Sequence, residues 1–405
     1  MRVILKATPA TSSQSVSKHM QSTHTNVLFV EDNPVDARMI DRSLARSAHT
    51  NFKLHHVEDL ASALVALRND NMFDAILLDL MLPDSLGGVD TIRAIHEIHR
   101  EIPIIVFTGM EDTDLALAAV REGAQDYLVK EHFDAETVVR SVHYSIQRVR
   151  HTNDERALRD ARQQLGIGGR VQQAKFPKSS PDLPGYDIAG LCVPAEATGG
   201  DYFDYFQIGK KYFGMAIGDA SGHGLGPAMV MSDVRAILRT LTTVYLEVGE
   251  IMRLLNQIAV RDLNVNMFMT LFLVRLEAES GSFHFCGAGH SGVVLNSRGE
   301  VRDALPPSFP PLNVVPEFDV TNALVDRLAP GETLLLFTDG ITESHPRDAH
   351  DRLYGEDRLL SLVRDHQHLS SAELARQIID AAREFALPDP PEDDMTVVVA
   401  KRLPG

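Results

Sequence analysis

Residues 218 to 224 read Gly-Asp-Ala-Ser-Gly-His-Gly and directly follow an apolar run at positions 212 to 217. A continuous apolar run of this length predicts a buried β-strand. Asp219 follows that strand between small residues, where the backbone can approach a ligand closely and a peptide carbonyl can turn towards it. We therefore predict that Asp219 bridges metal ions at the end of a strand.

Three further aspartates occur in similar sequence contexts. Asp201 lies in Gly-Gly-Asp-Tyr, Asp339 in Phe-Thr-Asp-Gly, and Asp393 begins Asp-Asp-Met-Thr. Carboxylate oxygens are the ligands that hard divalent cations prefer. If these side chains converge with Asp219, they could hold two such cations.

Composition excludes several classes of function. The chain has 405 residues, enough for two or three domains, and a formal net charge of −17 without a clustered basic face, which argues against nucleic-acid binding. No apolar stretch approaches the ~20 residues that span a bilayer, and no signal peptide is evident, so we expect a cytoplasmic protein without a membrane interaction. Cys192 and Cys286 lack metal-ligand spacing and are expected to be buried thiols.

The N-terminal third shows strands alternating with helices. Residues 1–24 are polar and predicted to be a disordered tail; from residue 25, continuous apolar strands alternate with helical patterns. This order predicts an α/β doubly wound, five-stranded parallel sheet, in which ligands bind beyond the carboxyl ends of the strands. The polar residues at those ends are Glu31, Asp32, Asp79, Thr108 and Lys130.

These five residues suit phosphoryl chemistry. Glu31, Asp32 and Asp79 could hold one Mg²⁺, with Asp79 placed as a nucleophile towards phosphorus. The Thr108 hydroxyl and the Lys130 ammonium could then contact the new phosphoryl oxygens.

Residues 25 to about 148 resemble a response-regulator receiver domain in this set, in the Leu-Asp-Leu-Met-Leu-Pro stretch around Asp79 and in an aromatic residue at Tyr127. The resemblance implies that Asp79 accepts phosphate from a histidine kinase or phosphotransfer protein. It also implies that the carbonyl of Met81 joins the metal, and that Tyr127 rotates with Thr108 during switching. Two departures, Glu131 in place of a proline and a Glu-Asp acidic pair, remove no charge.

Residues 134–175 have a helical pattern with two apolar stripes that do not share one heptad frame. Two interpretations stay open: a signalling helix that pairs between subunits of a homodimer, or a solvated spacer. The glycine-rich residues 166–169 are predicted to interrupt the helix as a hinge.

Beyond the linker, many short strand-like runs are separated by a few helical patterns. This order predicts an α+β domain, a two-sheet β-sandwich flanked by helices. The predicted domains are therefore a tail at 1–24, a receiver at 25–133, a helical linker at 134–175 and a sandwich domain at 176–405.

Residues 170 to 403 resemble the PPM-type metal-dependent protein phosphatases, in particular the RsbU and SpoIIE-like branch. Six motifs carry the likeness: Val-Gln-Gln at 171–173, Gly-Gly-Asp-Tyr-Phe-Asp at 199–204, the stretch at 218–224, Ala-Gly-His at 288–290, Thr-Asp-Gly-Ile-Thr-Glu at 338–343 and Asp-Asp-Met-Thr at 393–396.

The resemblance implies a site with two Mn²⁺ or Mg²⁺ ions. Asp219 would bridge them, the carbonyl of Ala220 would join the second ion, and Asp339 and Asp393 would complete the first. Asp201 would approach the second ion, directly or through water, and Asp394 remains an alternative to Asp393. No residue matches the arginine with which eukaryotic members hold the substrate phosphate.

The implied function is a phosphoserine or phosphothreonine protein phosphatase controlled by phosphorylation of Asp79. Its implied substrate is a phosphorylated anti-sigma-factor antagonist with a STAS domain, which would connect it to sigma-factor partner switching. Ser221 and His223 suggest a nucleophile and a base, and His290 suggests a general acid, but residues in glycine-rich turns more commonly serve backbone geometry and hydrogen bonding.

Two alternatives belong to other classes. A diguanylate cyclase would use the Gly-Gly-Asp motif at 199–201, but Tyr202 replaces the acid of that signature and the other three aspartates would have no role. A non-catalytic adaptor with the phosphatase fold would be favoured by the loss of a metal ligand, and none is lost.

Overall fold

In the computed structural model, the described residues are 24–45, 52–69, 73–85, 88–109, 113–130, 134–263, 267–317, 323–347, 349–388 and 390–404. The tail predicted at 1–24 lies outside them, apart from its last residue. The chain divides into two compact units, Met1–Arg159 and Asp160–Gly405.

The first unit is built on a five-stranded sheet in the order β2-β1-β3-β4-β5, in which every neighbouring pair is parallel. Its strands are β1 (Thr25–Val30), β2 (Phe52–Val57), β3 (Ala75–Asp79), β4 (Ile104–Thr108) and β5 (Asp126–Val129). Its first four helices are α1 (Pro34–Ala45), α2 (Leu60–Asn69), α3 (Val89–Ile98) and α4 (Thr113–Arg121).

Both faces of this sheet are covered, which is why β3 and β4 are buried throughout and apolar up to their last residues, Asp79 and Thr108. Helices α2, α3 and α4 pack on one face, and α1 with the start of α5 (Ala135–Gln173) packs on the other. The predicted doubly wound parallel fold is confirmed.

The first turns of α5 complete the core of the first unit. Val138, Val142 and Ile146 recur at helical spacing and are buried against the sheet. The predicted boundary at residue 133 therefore precedes a helix that the receiver core needs.

The predicted glycine hinge is wrong, because α5 continues through residues 166–169. Gly169 is buried, and a Cβ atom there would clash with the carbonyl oxygen of Ala197. Gly166, by contrast, has open space around it. At least at position 169, glycine allows a close approach of two backbone segments instead of a break in the helix.

The second unit contains two five-stranded sheets, in the orders β13-β10-β9-β8-β7 and β12-β11-β14-β15-β6, with antiparallel pairing in both. Its strands are β6 (Tyr186–Val193), β7 (Tyr202–Ile208), β8 (Tyr212–Ala220), β9 (Met269–Leu276), β10 (Ser282–Ala288), β11 (Gly292–Leu295), β12 (Val301–Leu305), β13 (Leu324–Arg327), β14 (Thr333–Phe337) and β15 (Met395–Arg402). Its helices are α6 (Leu225–Val244), α7 (Val248–Asp262), α8 (Asp339–Thr342), α9 (Glu356–Asp365) and α10 (Ser371–Ala386).

One apolar core lies between the two sheets and includes Ile217 and Phe272 from one sheet and Leu336 and Val398 from the other. Helices α6 and α7 cover the outer face of the first sheet, and α8, α9 and α10 cover that of the second. The predicted two-sheet sandwich flanked by helices is confirmed.

Cys192 and Cys286 are free thiols, and burial raises the pKa of both, that of Cys286 to about 12. Within the described ranges, no helix combines the length and apolar character needed to cross a bilayer.

The two glycines of α5 give a matched pair of substitutions. Gly166→Ala should stabilise the chain by about 0.5–1 kcal/mol, because alanine is the better helix former and nothing obstructs its methyl group. Gly169→Ala should destabilise it by about 1–3 kcal/mol, because the added Cβ overlaps the backbone of Ala197. Calorimetric unfolding midpoints should therefore shift in opposite directions. Shifts of the same sign would contradict the packing described here.

Candidate active site and phosphorylation site

The first candidate site lies at the carboxyl edge of the parallel sheet. Strands β1 and β3 are adjacent, so the acids that follow or end them come together. Glu31, Asp32 and Asp79 each offer an oxygen atom, and these atoms all lie within 4.8 Å of one another. Glu31 and Asp79 are buried and Asp32 is exposed. An all-oxygen set open to solvent on one side suits a hard cation.

Lys130 partly compensates this negative charge. Its Nζ lies 2.6 Å from Asp79 Oδ2, 2.7 Å from Glu31 Oε2 and 3.2 Å from Asp36 Oδ2. Burial raises the pKa of Glu31 to about 7, and the charge of Asp79 adds to this, although the hydrogen bond from Lys130 opposes it. Burial lowers the pKa of Lys130, but its hydrogen bonds to Asp79 and Glu31 outweigh that effect and raise it.

Sequence reasoning missed Asp36, which lies in the first turn of α1. The signal that could have identified Asp36 is its position four residues after Asp32, at the start of the helix.

The other expected receiver residues lie on β3, β4 and β5 or shortly after β3. Thr108 ends β4 with 1% exposure, and its Oγ1 has no hydrogen-bond partner among the described residues. The amide of Met81 donates to Asp79 Oδ1 over 2.9 Å. Tyr127, on β5, packs partly buried against the core beneath α2, α3 and α4.

The second candidate site lies at the edge of the sandwich. Asp219 is the penultimate residue of β8, and Asp201 directly precedes β7, which pairs with β8. Asp339 is the first residue of α8, directly after β14 and Thr338, and Asp393 lies two residues before β15, which pairs with β14. Each sheet thus contributes two aspartates.

The pKa shifts of these acids show that they affect one another. Burial raises the pKa of Asp219 to about 7, with further increases from the charges of Asp339, Asp393 and Asp394 and a hydrogen bond with Asp201 that opposes them. Asp201 is 2% exposed, and burial followed by the charge of Asp219 raises its pKa strongly. Burial and then the charge of Asp339 raise the pKa of Asp393, against the amide of Asp394.

The charged groups that act most strongly on Asp219 are therefore all carboxylates. Buried like charges of this kind need a compensating cation, and their oxygen atoms are suitable ligands for hard divalent metals. The residues present fit such ions. Gly200 supports this fit, because a Cβ there would crowd both the carbonyl oxygen of Ala220 and Asp219 Oδ1.

Asp394 has a different role from its neighbour. Its carboxylate accepts hydrogen bonds from the amides of Ala195 (2.8 Å), Gly200 (2.7 Å) and Asp201 (3.3 Å). These bonds fix the loop that carries Asp201. Asp394 is thus occupied by backbone donors, which favours Asp393 as the metal ligand.

Gln172, in the last turn of α5, holds the same loop from the other side. Its Nε2 donates to the carbonyl of Gly199 over 2.5 Å, and its Oε1 accepts from the amide of Gly199 over 3.1 Å. The side chain is buried, with 7% exposure. The sequence motif pointed to this segment but not to its function, because the partner lies 27 residues away.

Ser221 and His223 have separate contacts in the glycine-rich turn. Ser221 Oγ accepts a hydrogen bond from the amide of Phe268 (3.0 Å), while the exposed His223 faces Glu196 (3.4 Å).

His290 is a buried hydrogen-bonding residue. Its Nδ1 lies 3.1 Å from Thr270 Oγ1, which accepts a hydrogen bond from the amide of Asp219 (3.2 Å). Burial lowers the pKa of His290 to about 4, so it is neutral near pH 7 and a poor general acid.

Comparisons with known proteins identify the same two kinds of domain. The family described as response regulator receiver domain matches residues 27–143, and the family described as Stage II sporulation protein E (SpoIIE) matches residues 209–403. Protein IcfG of Synechocystis sp. is 29% identical over an alignment of 232 residues. The match covers 50% of this chain and 36% of IcfG. Phosphoserine phosphatase RsbU of Bacillus subtilis is 26% identical over 247 residues, which are 60% of this chain and 71% of RsbU.

Among solved structures, the SiaA-PP2C domain of Pseudomonas aeruginosa has the same fold as the second unit. The TM-score is 0.54 at 22% identity, and the match covers 60% of this chain and 98% of that domain. The Gly-Gly-Asp motif at 199–201 lies in this unit, directly before β7. The chain joins an N-terminal response-regulator receiver domain to a C-terminal PPM-type phosphatase domain of the SpoIIE family.

Proposed function

We propose that the chain is a two-component response regulator whose output is a metal-dependent phosphoserine or phosphothreonine protein phosphatase. One observation supports this proposal: two aspartates at the edge of each sheet, Asp201 and Asp219 on one and Asp339 and Asp393 on the other, affect one another's pKa, and the charges that act most strongly on Asp219 are carboxylates. The similarity to RsbU, a phosphoserine phosphatase, supports the reaction class.

In this proposal two Mn²⁺ or Mg²⁺ ions would be held by Asp219, which would contact both, by Asp339 and Asp393 at the first ion, and by Asp201 and the carbonyl of Ala220 at the second. When bound, such ions supply an activated water and offset the charge of a phosphoryl group.

The protein orients these ligands through a second layer of hydrogen bonds. Thr338 Oγ1 donates to Asp201 Oδ2 over 2.9 Å and accepts from the amide of Thr396 over 2.9 Å. Thr270 holds the amide of Asp219, and the loop bearing Asp201 is fixed by Asp394 and Gln172. Ligands held in this way need little reorganisation when an ion binds.

For the receiver, we propose one Mg²⁺ bound by Glu31, Asp32, Asp79 and the carbonyl of Met81. Asp79 would accept a phosphoryl group from a histidine kinase or phosphotransfer protein. Thr108 and Lys130 would contact its oxygens, because the Thr108 hydroxyl lacks a described partner and Lys130 already contacts Asp79.

Phosphorylation would act on the phosphatase through α5 and through contacts in a homodimer. Val138, near the start of α5, packs in the receiver core. Gln172, in the last turn of α5, holds the loop of Asp201. As domains we propose the receiver at 25–133, the helical segment at 134–175 and the phosphatase at 176–405. The proposed substrate is a phosphorylated anti-sigma-factor antagonist of the STAS type, in partner switching.

Asp219→Asn should lower Mn²⁺-dependent hydrolysis of a phosphoserine peptide by at least about 100-fold, since it removes the charge of the bridging ligand. Asp303→Asn, the same change at an exposed position of β12, should leave the rate unchanged. Equal activity of the two variants would contradict the metal assignment. Absence of activity in the wild type with any tested phosphoprotein would favour the non-catalytic adaptor.

Gln172→Ala should reduce turnover and Mn²⁺ affinity by about 10- to 100-fold, because the loop of Asp201 loses two hydrogen bonds. The neighbouring Gln173 is exposed, so Gln173→Ala is the matched control and should behave as wild type. The measurement is the rate of peptide hydrolysis as a function of Mn²⁺ concentration. A wild-type curve for Gln172→Ala would show that α5 does not support the site.

Beryllofluoride, which mimics a phosphoryl group on Asp79, should change phosphatase turnover by about 5-fold or more, the usual range of coupling between two sites. Asp79→Asn should abolish the response because the attachment point is lost. Turnover and oligomeric state are both measured, the latter by light scattering. If the mimic alters neither in the wild type, the receiver does not control the phosphatase.

A further inference from the structure

A cavity of about 420 Å³ adjoins the aspartate site, and its lining includes Asp393 and Glu343. The same cavity is lined by His345, His350 and Glu392, to which neither the sequence motifs nor the proposed reaction assigns a role. His345 and His350 lie in the segment between α8 and α9, and Glu392 lies in the segment before β15.

The spacing of the three side chains is that of metal ligands. His345 Nε2 lies 3.4 Å from His350 Nδ1 and 3.6 Å from Glu392 Oε2, and each residue offers a ligand atom within 4.8 Å of the others. With zinc-to-ligand distances of 2.0–2.2 Å, two ligand atoms of a tetrahedral ion are about 3.3–3.6 Å apart. Small side-chain movements would therefore admit an ion.

The orientation of His345 favours the same conclusion. Its Nδ1 lies 3.3 Å from the carbonyl oxygen of Pro346, which can accept a hydrogen bond from a protonated Nδ1. Nε2 then carries the lone pair, and this is the nitrogen that faces His350 and Glu392. A hydrogen bond between the two imidazoles would explain one of these contacts, but the 3.6 Å separation from Glu392 is too long for a second.

We propose that His345, His350 and Glu392 bind a divalent transition-metal ion, with Zn²⁺ as the best fit, at a site distinct from the aspartate centre. Two imidazole nitrogens and one carboxylate select such ions over Mg²⁺, whereas the aspartate centre offers only oxygen atoms. Three protein ligands leave a fourth position for water, facing the cavity. His345 is largely buried, while His350 and Glu392 are exposed, so an ion can enter from solvent.

The ion would join two segments that flank the aspartate site. Glu392 directly precedes Asp393, and His345 follows the short helix that begins at Asp339. A bound ion would therefore restrict the backbone immediately before Asp393 and the backbone that follows the helix of Asp339. This consequence rests on the proposed function, but binding of the ion does not.

The test uses the full chain with Asp219→Asn, so that the result does not depend on phosphatase activity. Zn²⁺ is titrated in competition with a chromophoric chelator, and Co²⁺ is added in parallel to record its visible absorption. His345→Ala, His350→Ala and Glu392→Gln are compared with His151→Ala, an exposed histidine whose Nδ1 lies 3.7 Å from Glu155.

We expect the parent and His151→Ala to bind Zn²⁺ equally and to give the intense absorption of low-coordinate Co²⁺ with nitrogen ligands. Each site variant should bind Zn²⁺ at least about 10-fold more weakly and lose that absorption. Unchanged affinity and spectrum in His350→Ala, an exposed position where the fold tolerates truncation, would overturn the proposal. The same result in His345→Ala would do so independently.

Discussion

The structure of the second unit depends on keeping carboxylates close together at the edge of a sandwich. Burial raises the pKa of Asp219, Asp201 and Asp393, and each is raised further by the charge of another acid. Such an arrangement costs folding free energy unless cations or hydrogen bonds offset it. The fold supplies a hydrogen bond to Asp201 from Thr338 and one to Asp393 from the amide of Asp394. In the proposed function, metal ions neutralise the remaining charge.

The receiver offsets the charge of its clustered acids in a different way. Its acids also meet at the ends of adjacent strands, but Lys130 lies within 3.2 Å of Glu31, Asp36 and Asp79. This pocket carries a built-in cation and keeps one side exposed at Asp32. The contrast fits two proposed tasks: reversible acceptance of a phosphoryl group at one site, and retention of metal ions at the other.

Local sequence signals predicted both folds and identified the acids of the two candidate sites. Continuous apolar runs predict β3 and β4 because both faces of the parallel sheet are covered, and acids at strand ends predict where ligands bind. Strand β12 has no hydrophobic pattern that could predict it, because four of its five residues are exposed. Gly169 suggested a hinge because Ala197, the residue whose backbone it packs against, is distant in sequence. Gln172 and the group of His345, His350 and Glu392 likewise acquire meaning only from contacts that folding creates.

The most direct test of the central claim is anomalous diffraction from crystals of the protein grown with Mn²⁺. The account predicts two manganese peaks about 3.5–4 Å apart, with Asp219 between them and Asp201, Asp339 and Asp393 around them. Manganese bound away from these aspartates, or a single ion that does not contact Asp219, would contradict it.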